Sequence, residues 1–349
     1  MNFLKLILVM TATIGVIIGV SGCSTNTENK NIKVRLANFP NITHSQSLLL
    51  RTDGKMEPLI DKNNKSVSVE WKTFNAGPAE VEALMAGEVD IGYIGPGPAI
   101  NAFVKSKGDI MIIAGATDAG AILVSRENLV ERDVKKLLDG RKIAVPQFGN
   151  TQDLCLRNLL EQNGLKDTAK GGTVEVVQIE NPDIKTLLEK GDIDAALVPE
   201  PWGARLVNEI GANIVLDYKD IWRNGDYTTA VIVARKDFLT QYPDLVEAFL
   251  EQHVKATLAI NQNLAANKQI INKKIGELTQ KTLSESVLNG AFQRLKVTYD
   301  PQTQSVIEMA DMAKAAGFLR EKPNMQGIFD LAILNKVLQA QNLEPVKSN

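Results

Sequence analysis

The sequence predicts an α/β protein of two similar lobes joined by two crossover strands, with a ligand cleft between them. Three observations carry this. Strand-length apolar runs alternate with amphipathic helix-length runs from about residue 32 to 234, the order that builds sheets covered by helices. The chain also matches itself at an offset of 104 residues, where Pro78, Leu84, Gly87 and Asp90 recur as Pro182, Leu188, Gly191 and Asp194, the mark of an internally repeated unit. Only two segments, 120–125 and 228–234, read as strands passing between the copies.

The first thirty residues stand apart from the fold. Lys5 precedes a charge-free run, Leu6 to Val20, shorter than the roughly 20 residues a membrane span needs, so it reads as a signal-peptide core. Val20-Ser21-Gly22-Cys23 follows, with small residues that suit a signal peptidase and a thiol open to lipidation. It resembles the lipobox of bacterial lipoproteins. Ser24 to Asn31 is abruptly polar, as a tether is. Residues 1–22 are therefore expected as signal peptide and 23–31 as tether, with the mature protein lipid-anchored through Cys23 to the outer face of the cytoplasmic membrane, or to a periplasmic-side leaflet.

Within each copy the local signals are alike. In GPAEVEALMAGEVDIGYIGPGP (77–98) and NPDIKTLLEKGDIDAALVPEPW (181–202), a Pro near the first turn opens a helix and a Gly closes it. An acidic-flanked turn and a short apolar strand follow. First-half strands fall at about 32–38, 67–74, 90–95 and 110–115, and second-half strands at about 142–146, 173–179, 194–198 and 213–217. Right-handed crossovers make such sheets mostly parallel. Beyond about 237 the chain reads as helical, with Tyr242-Pro-Asp opening a long helix, and at least one of these helices should pack on the first lobe. Lobe 1 is expected to hold 32–118 and 235–349, and lobe 2 to hold 119–234 with the hinge strands.

Composition narrows the function. Lys+Arg 39 against Asp+Glu 41 gives a net charge of -2 without any basic stripe, which excludes nucleic acid as the main partner. Two histidines and two cysteines leave no metal-ligand spacing, and no phosphate loop, nucleophile elbow or dinucleotide fingerprint occurs, so neither metal nor cofactor is expected. His253, between Glu251 and Lys255, reads as solvated helix surface. Cys155, in an apolar-periodic stretch, reads as a buried small hydrophobe. A binding protein rather than an enzyme is expected.

In open α/β sheets ligands sit beyond the carboxyl ends of the strands. That nominates the loops 38–45, 75–78, 94–98, 115–118, 148–152, 181–182 and 199–202, which are nearly devoid of basic residues. Several precede helices, whose amino ends hold anions without Lys or Arg. Asn41, Thr43 and Thr117 are candidate donors. Gly149, Asn150 and Thr151 read as an anion site or as a plain N-cap. Gly95, Pro96 and Gly97 read as a stiff turn or as a place where backbone closely approaches a ligand. Trp202 would cover a ligand or wedge a core, and His44 would cap a helix start or touch ligand. Glu200 would favour its own helix amino end or bind an amine or hydroxyl.

Taken together, NFPNITHSQ, TFNAGP, EALMAGEVDIGYIGPGPAIN, IAGATDAGA, VPQFGNT and VPEPWGARL resemble the nitrate/sulfonate/taurine group of solute-binding proteins that serve ABC importers. The resemblance runs over about 32 to 320. It implies a type II periplasmic-binding fold, two lobes closing on one small oxoanion, and a monomer delivering it to a permease and its ATPase. It also implies that Asn41–Thr43, Gly77-Pro78, Gly95–Gly97, Gly149–Thr151 and Glu200–Trp202 line the cleft, holding sulfonate or nitrate oxygens by amides and hydroxyls. The family includes binders of thiamin-precursor pyrimidines, and its distant relatives include a pyrimidine-synthesis enzyme. Either is the alternative, although the lipobox and the single mature cysteine argue against the enzyme.

Overall fold

Two sheets carry the fold of the computed structural model, which describes residues 32–61, 67–131 and 133–347. The signal peptide, the lipobox and the tether lie outside the described residues. The chain runs β1 (Lys33–Asn38), a 3-10 turn (Ile42–His44), α1 (Ser45–Leu50), β2 (Ser68–Thr73), α2 (Gly77–Met85), β3 (Ile91–Ile94), α3 (Pro96–Lys105) and β4 (Ile110–Ala119). It continues through β5 (Ala121–Ser125), α4 (Val134–Leu138), β6 (Lys142–Val145), α5 (Thr151–Gln162), β7 (Glu175–Gln178), α6 (Asn181–Lys190), β8 (Ala195–Pro199), α7 (Trp202–Ile210), β9 (Asn213–Leu216) and α8 (Tyr218–Ile221). The last part is β10 (Thr228–Arg235), α9 (Lys236–Gln241), α10 (Pro243–Gln262), α11 (Leu264–Thr279), α12 (Glu285–Gln293), β11 (Leu295–Val297), α13 (Thr303–Ala315) and α14 (Ala332–Ala340).

The first sheet has the order β11-β4-β10-β3-β1-β2 and the second β7-β6-β8-β5-β9. Where an α-helix carries the crossover the strands are parallel: β1 pairs so with β2 and β3, and β6 with β7 and β8. The strands that arrive from the other lobe run the opposite way, β10 against β3 and β4, and β5 against β8 and β9. The sheets are thus mixed rather than mostly parallel, because a direct return reverses direction and a helical crossover does not.

The grouping of 228–234 with the second lobe needs correction. β10 is an interior strand of the first sheet, between β4 and β3. The passage between lobes is made instead at Ala119–Gly120, both in the left-handed region at φ 56 and 80, and near Tyr227, whose carbonyl accepts from the Ala119 amide at 2.8 Å.

The internal repeat has a structural cause. Asp90 accepts from the Arg35 amide at 2.8 Å and returns its own amide to the Arg35 carbonyl, and Asp194 does the same with Lys142 at 3.0 Å. Each aspartate therefore pins the turn before a strand, β3 or β8, to its parallel neighbour, and each takes a guanidinium besides, from Arg35 or Arg126.

The C-terminal helices complete the core. α10 and α14 cover one face of the first sheet, packing Phe249 and Leu334 with Tyr93. His253, expected at the surface, is fully buried there. Gly115 O can only accept, so His253 Nε2 carries the proton to it at 2.9 Å and Nδ1 accepts from Tyr93 Oη at 2.9 Å; burial pushes its pKa down to about 3. Cys155 is buried with its thiol pushed up to about 12, which leaves it inert. Among the described residues no helix is long and apolar enough to cross a membrane.

Candidate functional site: a cavity at facing strand ends

The carboxyl ends of β1, β2 and β3 face those of β6, β7 and β8 across a small cavity of about 20 Å³. Of the residues nominated from sequence, Asn41, Thr43, His44, Gly77, Gly95, Asn150 and Thr151 line it. The same nominated loops bring Phe39, Asn75, Ala76, Pro98, Gln152, Asn181 and Pro199 to its wall. Pro146 and Thr229 also line it from outside those loops, and Thr229 escaped notice because it rides on β10, whose membership of the first sheet is a non-local fact.

The other nominated residues have different partners. Thr117 Oγ1 donates to the Thr43 carbonyl at 2.7 Å and so braces the wall from behind. Gly149 donates its amide to Asp153 Oδ2 at 2.8 Å. Pro78 and Pro96 occupy the first turns of α2 and α3, where a missing N–H costs nothing. Gly97 meets the facing lobe rather than open space: its amide donates to Thr151 Oγ1 at 3.3 Å, and a Cβ on it would lie 2.7 Å from Leu154 Cδ1. Trp202 Nε1 donates to Asn41 Oδ1 at 2.8 Å, a bond between lobes. Glu200 turns away from the cavity. Its Oε2 accepts from the Ala204 amide at 2.9 Å, capping α7, and its Oε1 takes Arg294 Nη1 at 3.1 Å, while burial pushes the carboxyl up to about 7.

The electrostatics follow from what is left. Among the described residues no Lys, Arg, Asp or Glu lines the cavity. Ala76, which precedes α2, supplies no side-chain cap, so first-turn amides of α2 keep hydrogen-bonding capacity. At α3 Pro96 and Pro98 have no N–H and the Gly97 and Ala99 amides go to Thr151 Oγ1 and Gly95 O, and at α6 the Asn181 and Asp183 amides go to Asn75 Oδ1 and Glu180 O. At α5 the Asn150 side chain accepts from the Asp153 amide and its Nδ2 donates to Gln152 Oε1 at 3.2 Å, which leaves the second N–H of Nδ2 as a donor. Asn181 caps nothing, and its amide leans on Asn75 Oδ1 of the facing lobe at 3.3 Å. Its own Oδ1 is buried without a partner among the described residues.

His44 completes the wall in a single form. The Phe39 amide donates to its Nδ1 at 3.1 Å, its ring stacks on Phe39 at 4.4 Å, and burial pushes its pKa down to about 3. It is a neutral imidazole whose one proton sits on Nε2. Neutral donors beside a helix amino end, here α2, are able to hold negative charge. It has no free base beside a nucleophile, and among the described residues no group of side chains is arranged to hold a metal ion.

Residues 28–276 match the NMT1-like family. The taurine-binding periplasmic protein of Escherichia coli (strain K12) is 29% identical over 269 residues, 75% of this chain and 80% of that protein. A putative aliphatic sulfonates-binding protein of Bacillus subtilis (strain 168) is 25% identical over 343 residues, 96% of this chain and 97% of the other. Among solved structures, the periplasmic nitrate-binding protein from Synechocystis PCC 6803 superposes with a TM-score of 0.74 at 15% identity, over 89% of each chain, a likeness of fold.

Proposed function

The chain belongs to the NMT1-like family, and from that premise we propose that it is an extracytoplasmic solute-binding lipoprotein of an ABC importer. It captures a small oxoanion, an aliphatic sulfonate, taurine or nitrate, and hands it to the permease and ATPase. The observation that carries this reading is a cavity that, among the described residues, has no charged side chain and is lined by neutral donors, Thr43, His44, Asn150 and Thr151, beside the uncapped start of α2. Such an amino end contributes about 0.3 to 1 kcal/mol toward an anion when exposed and up to ~2 when partly buried. Relatives named for taurine and aliphatic sulfonates support the same ligand class. Catalysis finds no support, since His44 presents a proton and not a lone pair and Cys155 is inert.

The test is a thermal-shift screen against taurine, ethanesulfonate, nitrate and a neutral aminopyrimidine. A ligand at 100 times its Kd adds about 2.7 kcal/mol of stability. An oxoanion is expected to raise Tm, and a response to the pyrimidine alone overturns the reading. Thr151→Val keeps shape but deletes a hydroxyl at the cavity, so calorimetry should show a loss of roughly ten- to a hundred-fold in affinity. Unchanged affinity removes Thr151 from the site.

A further inference from the structure

α13 is tied to the first sheet on both sides. Before it, the Gly115 amide of β4 donates to Tyr299 O at 2.8 Å, and near its start the Thr228 amide of β10 donates to Ser305 Oγ at 3.1 Å. After it, the Ile112 amide of β4 donates to Ile328 O at 2.8 Å. The helix therefore travels with the first lobe. Yet it packs on α5 of the second lobe as well as on α3 of its own.

Two contacts at its carboxyl end cross between lobes. Lys170 Nζ donates to the carbonyls of Ala315 at 3.3 Å and Ala316 at 2.8 Å, acceptors that a helix end leaves unsatisfied and that carry its partial negative charge. The Phe318 ring lies under the Arg157 guanidinium, 5.5 Å from centroid to carbon. Arg157 is held on α5 by Asp153 and Asp167, each at 2.8 Å, so the cation is already oriented for the ring. None of Lys170, Arg157 and Phe318 lines the cavity.

We propose that Lys170 and Phe318 are positioning residues for ligand capture, forming a latch between the lobes, away from the cavity, that slows reopening of the closed form. The inference rests on the reading that the cavity between the lobes holds the ligand. When the lobes part, the α13 carbonyls and the Phe318 face go to water, so both contacts exist in the closed form alone. An interaction made in one state only stabilises that state by its full free energy. Because ligand enters the open form, the effect falls on dissociation.

Stopped-flow fluorescence with taurine as probe tests this on the double variant Lys170→Met, Phe318→Ala. Each contact is expected to be worth about two- to five-fold, so dissociation should speed up about five- to twenty-fold with association within about two-fold of wild type. Lys170→Arg, which still donates to carbonyls, should restore the wild-type rate at that position. Lys170 is exposed, so Lys170→Met alone folds and should show its own share. Unchanged dissociation overturns the latch, and so does a matching loss in association. If wild type responds to none of taurine, ethanesulfonate and nitrate, the reading of the cavity has failed and the latch is read from small-angle scattering of ligand-free protein. A more expanded double variant then supports it, and identical profiles overturn it.

Discussion

His44 is fixed in one protonation state by a neighbour. The Phe39 amide requires a lone pair on Nδ1, and full burial lowers the pKa to about 3. Among the described residues His44 is the only ionisable side chain that lines the cavity. Calorimetry with a sulfonate should therefore give an affinity constant within about two-fold from pH 5.5 to 8; a rise of tenfold per pH unit on acidification would mean that a charged His44 binds the anion. Stability has its own pH dependence. His44 and His253 both have folded pKa values near 3 against about 6.5 unfolded. At these two sites the unfolded chain takes up protons below 6.5 that the folded one refuses, which lowers stability toward pH 3, while Glu200 and Asp118, pushed up to about 7 by burial, act in the opposite direction. Urea unfolding should therefore show His253→Gln losing less stability than wild type as pH drops from 6.5 toward 3. The sequence announced a histidine at a helix start but not its partner, since Phe39 meets it only after the chain has turned through the 3-10 segment. Glu200 was ambiguous for a similar reason: a carboxylate just ahead of a helix serves as cap or ligand equally well, and Arg294, which decides the matter, is distant in sequence.

At the scale of elements, the start of α3 shows what local pattern can and cannot tell. Two glycines around a proline signalled close approach, and close approach is what they permit, but the visitor is α5. A Cβ on Gly95 would lie 2.3 Å from Thr151 Oγ1, and one on Gly97 would lie 2.7 Å from Leu154 Cδ1, whose side chain is itself buried. Gly97→Ala should act with opposite signs on the two states. In the parted lobes it replaces a helical glycine and stabilises by up to about 1 kcal/mol. In the closed form it overpacks a filled interface at a cost of about 1 to 3 kcal/mol, about five- to a hundred-fold in affinity. An unchanged Tm of the ligand-free protein together with unchanged affinity would show that α3 and α5 do not need this contact. Strands β1 to β10 were legible because each is a local apolar run between turn residues. β11, three residues long, and the antiparallel sense of β5 and β10 were not, since both depend on where the chain returns. His253 misled because its charged sequence neighbours flank a face that α10 turns inward against the first sheet.

Across the whole molecule, the repeat at 104 residues revealed two lobes but not how they are held. The two passages touch each other at the Ala119–Tyr227 bond, and beside them Arg294 joins Glu200 to Asp217 at 3.1 and 2.9 Å. The lobes thus meet beside a buried ion pair, and further bonds between them, among the described residues, include those at the cavity wall, those at α13, and Lys281 to Glu209 at 3.5 Å where α12 packs on α7. The amino terminus lies outside the described residues. Cys23 lies nine residues before Ile32 in the sequence. Anchoring and capture should then be separable. Cys23→Ser is expected to block incorporation of radiolabelled fatty acid and move the protein to the soluble fraction, while the taurine Kd of the released protein stays within about two-fold of the anchored form. Label entering the variant would refute the lipobox. A changed Kd would mean instead that the terminal segment reaches the lobes and takes part in binding, a role that the hydrogen bonds around the cavity do not require.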